Sequence, residues 1–267
     1  MQRTHGMSTS IRKSELFAGI PLRQVKRMVS RARVLQFVPG EVVYVADDPI
    51  AHLILLADGL IKTCQSTENG QEVVLRFCVP GEIISERALV FGRAHSSTAL
   101  AVTLCKAVAW EFSEFNAMAE SFPDVRRNAE RILKARLAEF SQRLLEVSTI
   151  AASQRLAIGL VRLANRIGHC VGAHIEMRVS QETLAQMTGM ALSSVWRLLS
   201  IWRAQGIVKL RRETIEIHGL PQLLSCAGLT DRNGQGGAPW KSHYPYDRAI
   251  GAEAELPAGA GTSQPEF

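Results

Sequence analysis

The residues best suited to chemistry lie between Ser180 and Gly206, in the run SQETLAQMTGMALSSVWRLLSIWRAQG. Arg197 carries a planar guanidinium that can pair bidentately with O6 and N7 of a guanine. Ser193 and Ser194 offer hydroxyls to a phosphate or a base edge. Leu192 and Trp196 offer apolar contact, and Trp196 suits either a thymine methyl or a neighbouring element of its own domain. Further on, Arg211 and Arg212 suit phosphate, a contact that positions a protein on DNA without reading sequence; a pair of solvated arginines at a turn would look the same. Enzyme signatures are missing. There is no H-E-x-x-H, no G-x-S-x-G, no phosphate-cradling glycine loop and no metal-spaced His/Cys cluster. Neither catalysis, a metal nor a cofactor is expected.

The elements around these residues predict a helix-turn-helix. Ser180 reads as an N-cap, and Glu182 sits in the first turn, where the helix dipole favours an acid. Leu184 and Ala185 face inward, Ala185 being small enough for two helices to cross closely. Gly189, four residues later, suits the left-handed position of a tight turn. Val195 and Leu198 then point into the same small core, and the second helix runs to Gln205, with Gly206 at its end. Upstream, Leu156, Leu160, Leu163 and Ile167 form the stripe of a helix that closes a three-helix core. Downstream, Val208–Leu210 and Ile215–Ile217 flank Arg211-Arg212-Glu213-Thr214, a hairpin with a basic tip, as in a winged helix. The candidate DNA-binding set is Ser180, Leu192, Ser193, Ser194, Trp196, Arg197, Arg211 and Arg212.

N-terminal to this lies a region of another kind. From Arg33 to Phe112, β-branched runs recur at Val34–Val38, Val42–Val45, Leu53–Ala57, Leu60–Thr63, Val73–Phe77, Thr98–Thr103 and Ala107–Phe112. Pro39-Gly40, Asp58-Gly59, Asn69-Gly70 and Pro80-Gly81 separate them with turn chemistry. Strands at this spacing predict a closed β-roll. A short helical segment, Leu16 to Val29, precedes it. After Pro123 the period becomes helical: Phe122, Val125, Ala129, Leu133, Leu137, Phe140, Leu144 and Val147 form one stripe. That stripe is too long for a small roll to cover and resembles a coiled-coil seam, so a homodimer is expected. The division expected is a flexible arm over 1–14, the β-roll over 15–120, the dimerisation helix over 121–149, the winged helix-turn-helix over 150–226 and a disordered tail over 227–267.

Composition agrees with this α+β organisation. The 267 residues carry a net charge of +6 and 46% hydrophobic residues, which fits a globular protein with an anionic partner such as double-stranded DNA. No apolar run is long enough for a membrane helix, so no membrane partner and a cytoplasmic location are expected. Five widely spaced cysteines without a C-x-x-C pair suggest a reducing compartment.

A β-roll, a long helix and a terminal winged helix, in that order, resemble the cyclic-AMP receptor protein/FNR (Crp/Fnr) superfamily of bacterial transcription regulators over roughly residues 14–226. The resemblance rests on the Pro-Gly-Glu turns and the helix-turn-helix. It implies a homodimer on a palindromic site, a signal sensed in the roll, and an activator that works with RNA polymerase. Ser193 stands where family recognition helices usually carry a glutamate, whereas Arg197 matches the base-reading arginine. Within SERALVFGRAHSSTA, Glu86 and Ser97 match the ribose and phosphate ligands of cyclic-nucleotide members, but Ser96 stands where their arginine falls. Ser141 lies near the position from which relatives reach the purine. Glu86, Ser96, Ser97 and Ser141 are therefore the candidate ligand pocket. Without the arginine a cyclic phosphate loses its main charge-assisted contact, unless Arg87 or Arg93 supplies it. No cysteine precedes Cys64, which removes the family's N-terminal iron–sulfur site. Haem ligation would draw on His5, His52, His95 or Cys78; a haem or small-molecule sensor acting through protein contacts is the alternative reading.

Overall fold

The computed structural model describes residues 9–85, 88–89 and 93–229. Its N-terminal half is a β-roll of two antiparallel sheets. One contains β1 (Arg33–Phe37), β7 (Cys105–Glu111) and β3 (His52–Asp58), in that order. The other runs β2 (Val42–Tyr44), β6 (Thr98–Ala101), β4 (Ile61–Ser66) and β5 (Glu72–Cys78). The apolar run LILLA in β3 is continuous because both faces of its sheet are covered. Ile54 and Leu56 join Ile61, Cys78, Ala99 and Ala107 between the sheets. Leu53 and Leu55 point the other way, into a second core with Trp110, Val125 and Ile132. Trp110, fully buried there, donates its indole N–H to Met28 O at 2.9 Å.

Helices build that second core. They are α1 (Thr9–Arg12), α2 (Leu22–Val29), α3 (Phe112–Ser121) and the first half of α4 (Pro123–Thr149). Two expectations need correction here. The expected arm over 1–14 is not free throughout, since Ile11 and Ser14 are buried against the roll. The single helix expected over Leu16–Val29 is broken: Glu15–Phe17 form one 3-10 turn, and Gly19 and Pro21 intervene before α2. The Asn128 amide of α4 ties this segment down by donating to the carbonyls of Leu16 and Ala18.

The C-terminal half contains α5 (Ala152–Ile167), β8 (His169–Val171), β9 (His174–Arg178), α6 (Gln181–Thr188), α7 (Leu192–Ala204), β10 (Val208–Arg211), β11 (Thr214–Ile217) and α8 (Leu220–Cys226). The strands form one antiparallel sheet in the order β10-β11-β9-β8. Leu156, Leu160 and Leu163 of α5, Leu184 of α6, and Val195 and Leu199 of α7 close its core. Val74 and Phe77 of β5 belong to the same core, so the roll and this half share apolar packing. Cys64, Cys78 and Cys105 are buried in the roll, whereas Cys170 and Cys226 are exposed. Among the described residues no helix is long and apolar enough to cross a membrane. The expected disordered tail over 227–267 starts too early, since Ala227 is buried in the core of the C-terminal half and Leu229 packs against it; residues 230–267 lie outside the described residues.

Candidate nucleic-acid interface and sensor cavity

The helix-turn-helix forms as its residue types dictate. Ser180 caps α6, its Oγ accepting from Thr183 N at 3.0 Å. Gly189 closes the turn at φ 62°, a left-handed conformation costly for other residues. Helix α7 begins at Leu192 after Ala191, which provides no side-chain cap. Its first turn is thus open to an anion such as phosphate. The inward register differs by one residue from expectation: Val195 and Leu199 are fully buried, whereas Leu198 packs at the edge. Helical geometry explains this, because positions four apart lie over one another on one face.

With Val195 and Leu199 inside, Leu192, Ser193, Trp196 and Arg197 are exposed, and Ser194 is half-buried. Trp196, 60% exposed, stands between α7 and the wing. A groove of about 680 Å³ runs there, lined by Ser180, Leu192, Ser193 and Trp196 on one side and Arg211, Arg212 and Thr214 on the other. The structure therefore brings six of the eight candidate DNA-binding residues to one groove. Ser194 and Arg197 are not part of its lining. Ser180 has a second task, since its hydroxyl also meets the Thr183 hydroxyl at 2.9 Å. Arg211 reaches inward to the Glu216 carboxylate, so it is less free for phosphate than the sequence suggests. Arg212 makes the turn with Glu213, whose φ is 55°.

The candidate ligand residues fare differently. A cavity of about 240 Å³ between the roll and α4 is lined by Tyr44, Arg76, His95, Ser96, Ser97 and Arg136, among others. Ser97 is buried and Ser96 exposed. Ser141 does not reach the cavity: it is exposed and donates its hydroxyl to Leu137 O, one turn back. A helical serine with no polar partner in reach commonly bonds in this way. Glu86 and Arg87 lie outside the described residues. The guanidiniums at the cavity are Arg76 and Arg136, neither of which the sequence pattern had marked. The residues considered for haem have protein partners: His52 bonds Glu111, His95 stacks on Tyr44 at 3.7 Å, and the Cys78 sulfur accepts from Arg76. His5 lies outside the described residues.

Beside the cavity, buried charges join three parts of the chain. Glu82, from the Pro80-Gly81-Glu82 turn, accepts from Arg76 of β5 at 3.2 Å, Arg136 of α4 at 3.1 Å and Arg166 of α5 at 2.6 Å. Burial alone would raise its carboxyl, but Arg166, Arg76 and Arg136 together hold it down at about 2. Arg166 also donates Nε to Phe77 O at 2.6 Å. Nearby, Arg143 bonds Glu139 and the Leu75 carbonyl, and Arg162 of α5 pairs with Glu146 of α4 at 2.6 Å. Burial draws the Arg143 guanidinium down to about 10, which leaves it charged at neutral pH. Roll, long helix and DNA-binding half are thus fastened through one carboxylate.

An exposed second helix, a wing and a roll joined by a long helix define a winged-helix DNA-binding regulator with an N-terminal β-roll. Comparison with known proteins agrees. Residues 34–122 match the cyclic nucleotide-binding domain family, and residues 154–226 match the Crp-like helix-turn-helix domain. The chain is 24% identical over 216 residues to the transcriptional regulatory protein btr of Bordetella pertussis, covering 79% of this chain and 88% of that one. It is 26% identical over 204 residues to the cyclic AMP receptor protein of Thermus thermophilus, covering 76% and 92%. The structure of the c-di-GMP responsive global regulator CLP of Xanthomonas campestris has the same fold, with a TM-score of 0.67 at 17% identity, covering 74% of this chain and all of that one. The chain belongs to the Crp/Fnr superfamily of transcription regulators. It is a DNA-binding regulator and not an enzyme.

Proposed function

We propose that the protein acts as a homodimeric, sequence-specific transcription activator whose roll responds to a small ligand. The observation that carries the reading is the stripe of α4. Its first half is spent on the roll, with Val125, Ala129 and Ile132 buried, whereas Leu137, Phe140, Leu144, Leu145 and Val147 are exposed. Apolar side chains of that size and helical spacing suit the seam of a second copy. A two-fold pair would present two α7 helices to successive major grooves, with half-sites about 34 Å apart. Contact with RNA polymerase, and hence activation, follows from the resemblance to family activators.

The ligand would enter the cavity between the roll and α4. Relatives include proteins named as cyclic-AMP receptors and cAMP-activated regulators. In this chain Arg76 and Arg136 already serve Glu82, so a cyclic phosphate would compete with a buried carboxylate. A different small ligand fits better. Because Glu82 and Arg136 lie between that cavity and Arg166 of α5, a ligand that moved Arg136 would shift the DNA-binding half.

Selection from random duplex DNA tests the reading directly. An interrupted palindrome bound by two chains is expected, and uniform weak binding would refute it. At the preferred site Arg197→Ala should cost about 1–3 kcal/mol and relax base choice at one position. If the loss were equal on all sequences, Arg197 would be a phosphate contact instead.

A further inference from the structure

The outer face of the wing sheet brings together His174 and, from a stretch far along the sequence, Glu216 and His218, in a spacing that matches no motif. His174 of β9, Glu216 of β11 and His218 just beyond it place their ligand atoms within 4.8 Å of one another. The strand pairing explains how. Ile217 pairs with Ile175, so His174 and the two residues flanking Ile217 fall on the face opposite those isoleucines. His218 Nε2 is 2.9 Å and His174 Nε2 3.9 Å from the same carboxylate oxygen, Oε2 of Glu216. The imidazole rings stack at 4.6 Å. Glu216 is only 2% exposed, yet His218 is exposed and His174 half-buried, so the carboxylate is covered by ligands that solvent reaches.

We infer that His174, Glu216 and His218 form a divalent transition-metal site, with Zn(II) the representative ion, at the base of the DNA-binding wing. Two imidazoles and one carboxylate, with an open fourth position, are a ligand set that zinc accepts. Bonds of about 2.0–2.1 Å in tetrahedral geometry require ligand atoms about 3.3 Å apart. The 2.9 and 3.9 Å spacings straddle that value. Small rotations of two accessible imidazoles would equalise them. The ion would take the place of the hydrogen bond between His218 and Glu216. Two cations compete at the carboxylate. Arg211 holds the other oxygen, Oε1, and can remain there, while the Lys209 ammonium, 3.9 Å from Oε2, is on an exposed side chain that can swing away.

Occupancy would change the wing. A carboxylate and two neutral imidazoles carry one negative charge, and a bound dication reverses it to one positive. That favours phosphate beside Arg211 and Arg212, so metal should tighten DNA binding; this coupling, unlike the site, rests on the DNA-binding reading.

Co(II) titration of the untagged full-length chain without DNA tests the site. One ion per chain is expected, with the visible absorption of a tetrahedral centre, displaced by Zn(II). His174→Ala and His218→Ala should each weaken binding at least about 10-fold, since even outer partners of metal ligands commonly cost that much. Both side chains are accessible, and circular dichroism verifies that the variants fold. Cys170→Ser and Cys226→Ser should bind as the parent does. No saturable binding, undiminished binding in the histidine variants, or loss only in the cysteine variants would overturn the site. With DNA present, Zn(II) should raise affinity in the parent and not in His174→Ala. An unchanged affinity despite bound metal would overturn the coupling and leave the site standing.

Discussion

The chain contains the tetrapeptide Val-Pro-Gly-Glu twice, at 38–41 and at 79–82, and the two copies have different consequences. Locally they are alike. Gly40 and Gly81 both have positive φ, and in each turn the glutamate accepts from the backbone N–H of the valine three residues earlier, Val38 at 2.8 Å and Val79 at 3.1 Å. Their surroundings differ. Glu41 is exposed at the rim of the roll and serves its own turn. Glu82 lies under α4 and α5 and gathers three guanidiniums. The motif fixes a carboxylate's direction; what lies in that direction decides whether it is a turn or a latch.

Removing the carboxylates should separate the copies most. Glu82→Gln leaves three buried guanidiniums facing a neutral amide and should cost about 3–5 kcal/mol in denaturant unfolding, the range for breaking a buried pair. Glu41→Gln should cost no more than about 1 kcal/mol, as for an ordinary hydrogen bond. Equal losses would remove the distinction.

Acid should act through Glu82. The Glu82 carboxyl titrates at about 2 in the folded chain, against about 4.3 when unfolded. A depressed folded value gives stability that is complete above the unfolded value and is lost as pH falls toward the folded one. Roughly 3 kcal/mol should therefore disappear between about pH 5 and 2. Denaturant midpoints across that window should fall steeply in the parent and less in Glu82→Gln.

Backbone substitution gives the finest comparison. Alanine at either glycine is forced into the left-handed region, at about 1–2 kcal/mol. A Cβ at Gly81 would additionally sit 3.0 Å from Ser10 O, whereas one at Gly40 meets nothing. Gly81→Ala should thus lower the thermal midpoint somewhat more than Gly40→Ala.

Local structure was largely legible in the sequence, and long-range partnership was not. The strands of the roll, the Ser180 cap, the Gly189 turn and the wing hairpin follow from residues within a few positions of one another, whereas β8 and β9 carry no such pattern. Two of the three arginine partners of Glu82 lie 54 and 84 residues away, at Arg136 and Arg166, and no local pattern marks one Pro-Gly-Glu turn as different from the other. For the same reason the sequence does not mark the cavity arginines, Arg76 of β5 and Arg136 of α4, nor show that the Ser141 hydroxyl turns back to Leu137 O: a position along an element does not reveal what its side chain meets. His174 and His218 have no metal-like spacing because a strand register, unknown before folding, joins them. Order at the end of the arm is not legible in the sequence because Ile11 is a single apolar residue without a period to betray its burial.

The distribution of thiols gives the molecule its own reporters. Alkylating reagents should reach Cys170 and Cys226 in the native chain, while Cys64, Cys78 and Cys105 stay shielded until the roll opens. Burial also pushes the Cys64 thiol up to about 11, so little of the reactive thiolate forms there at neutral pH. Counting modified cysteines over time by mass spectrometry would therefore time the opening of the roll, with the two exposed thiols as an internal standard for the reagent.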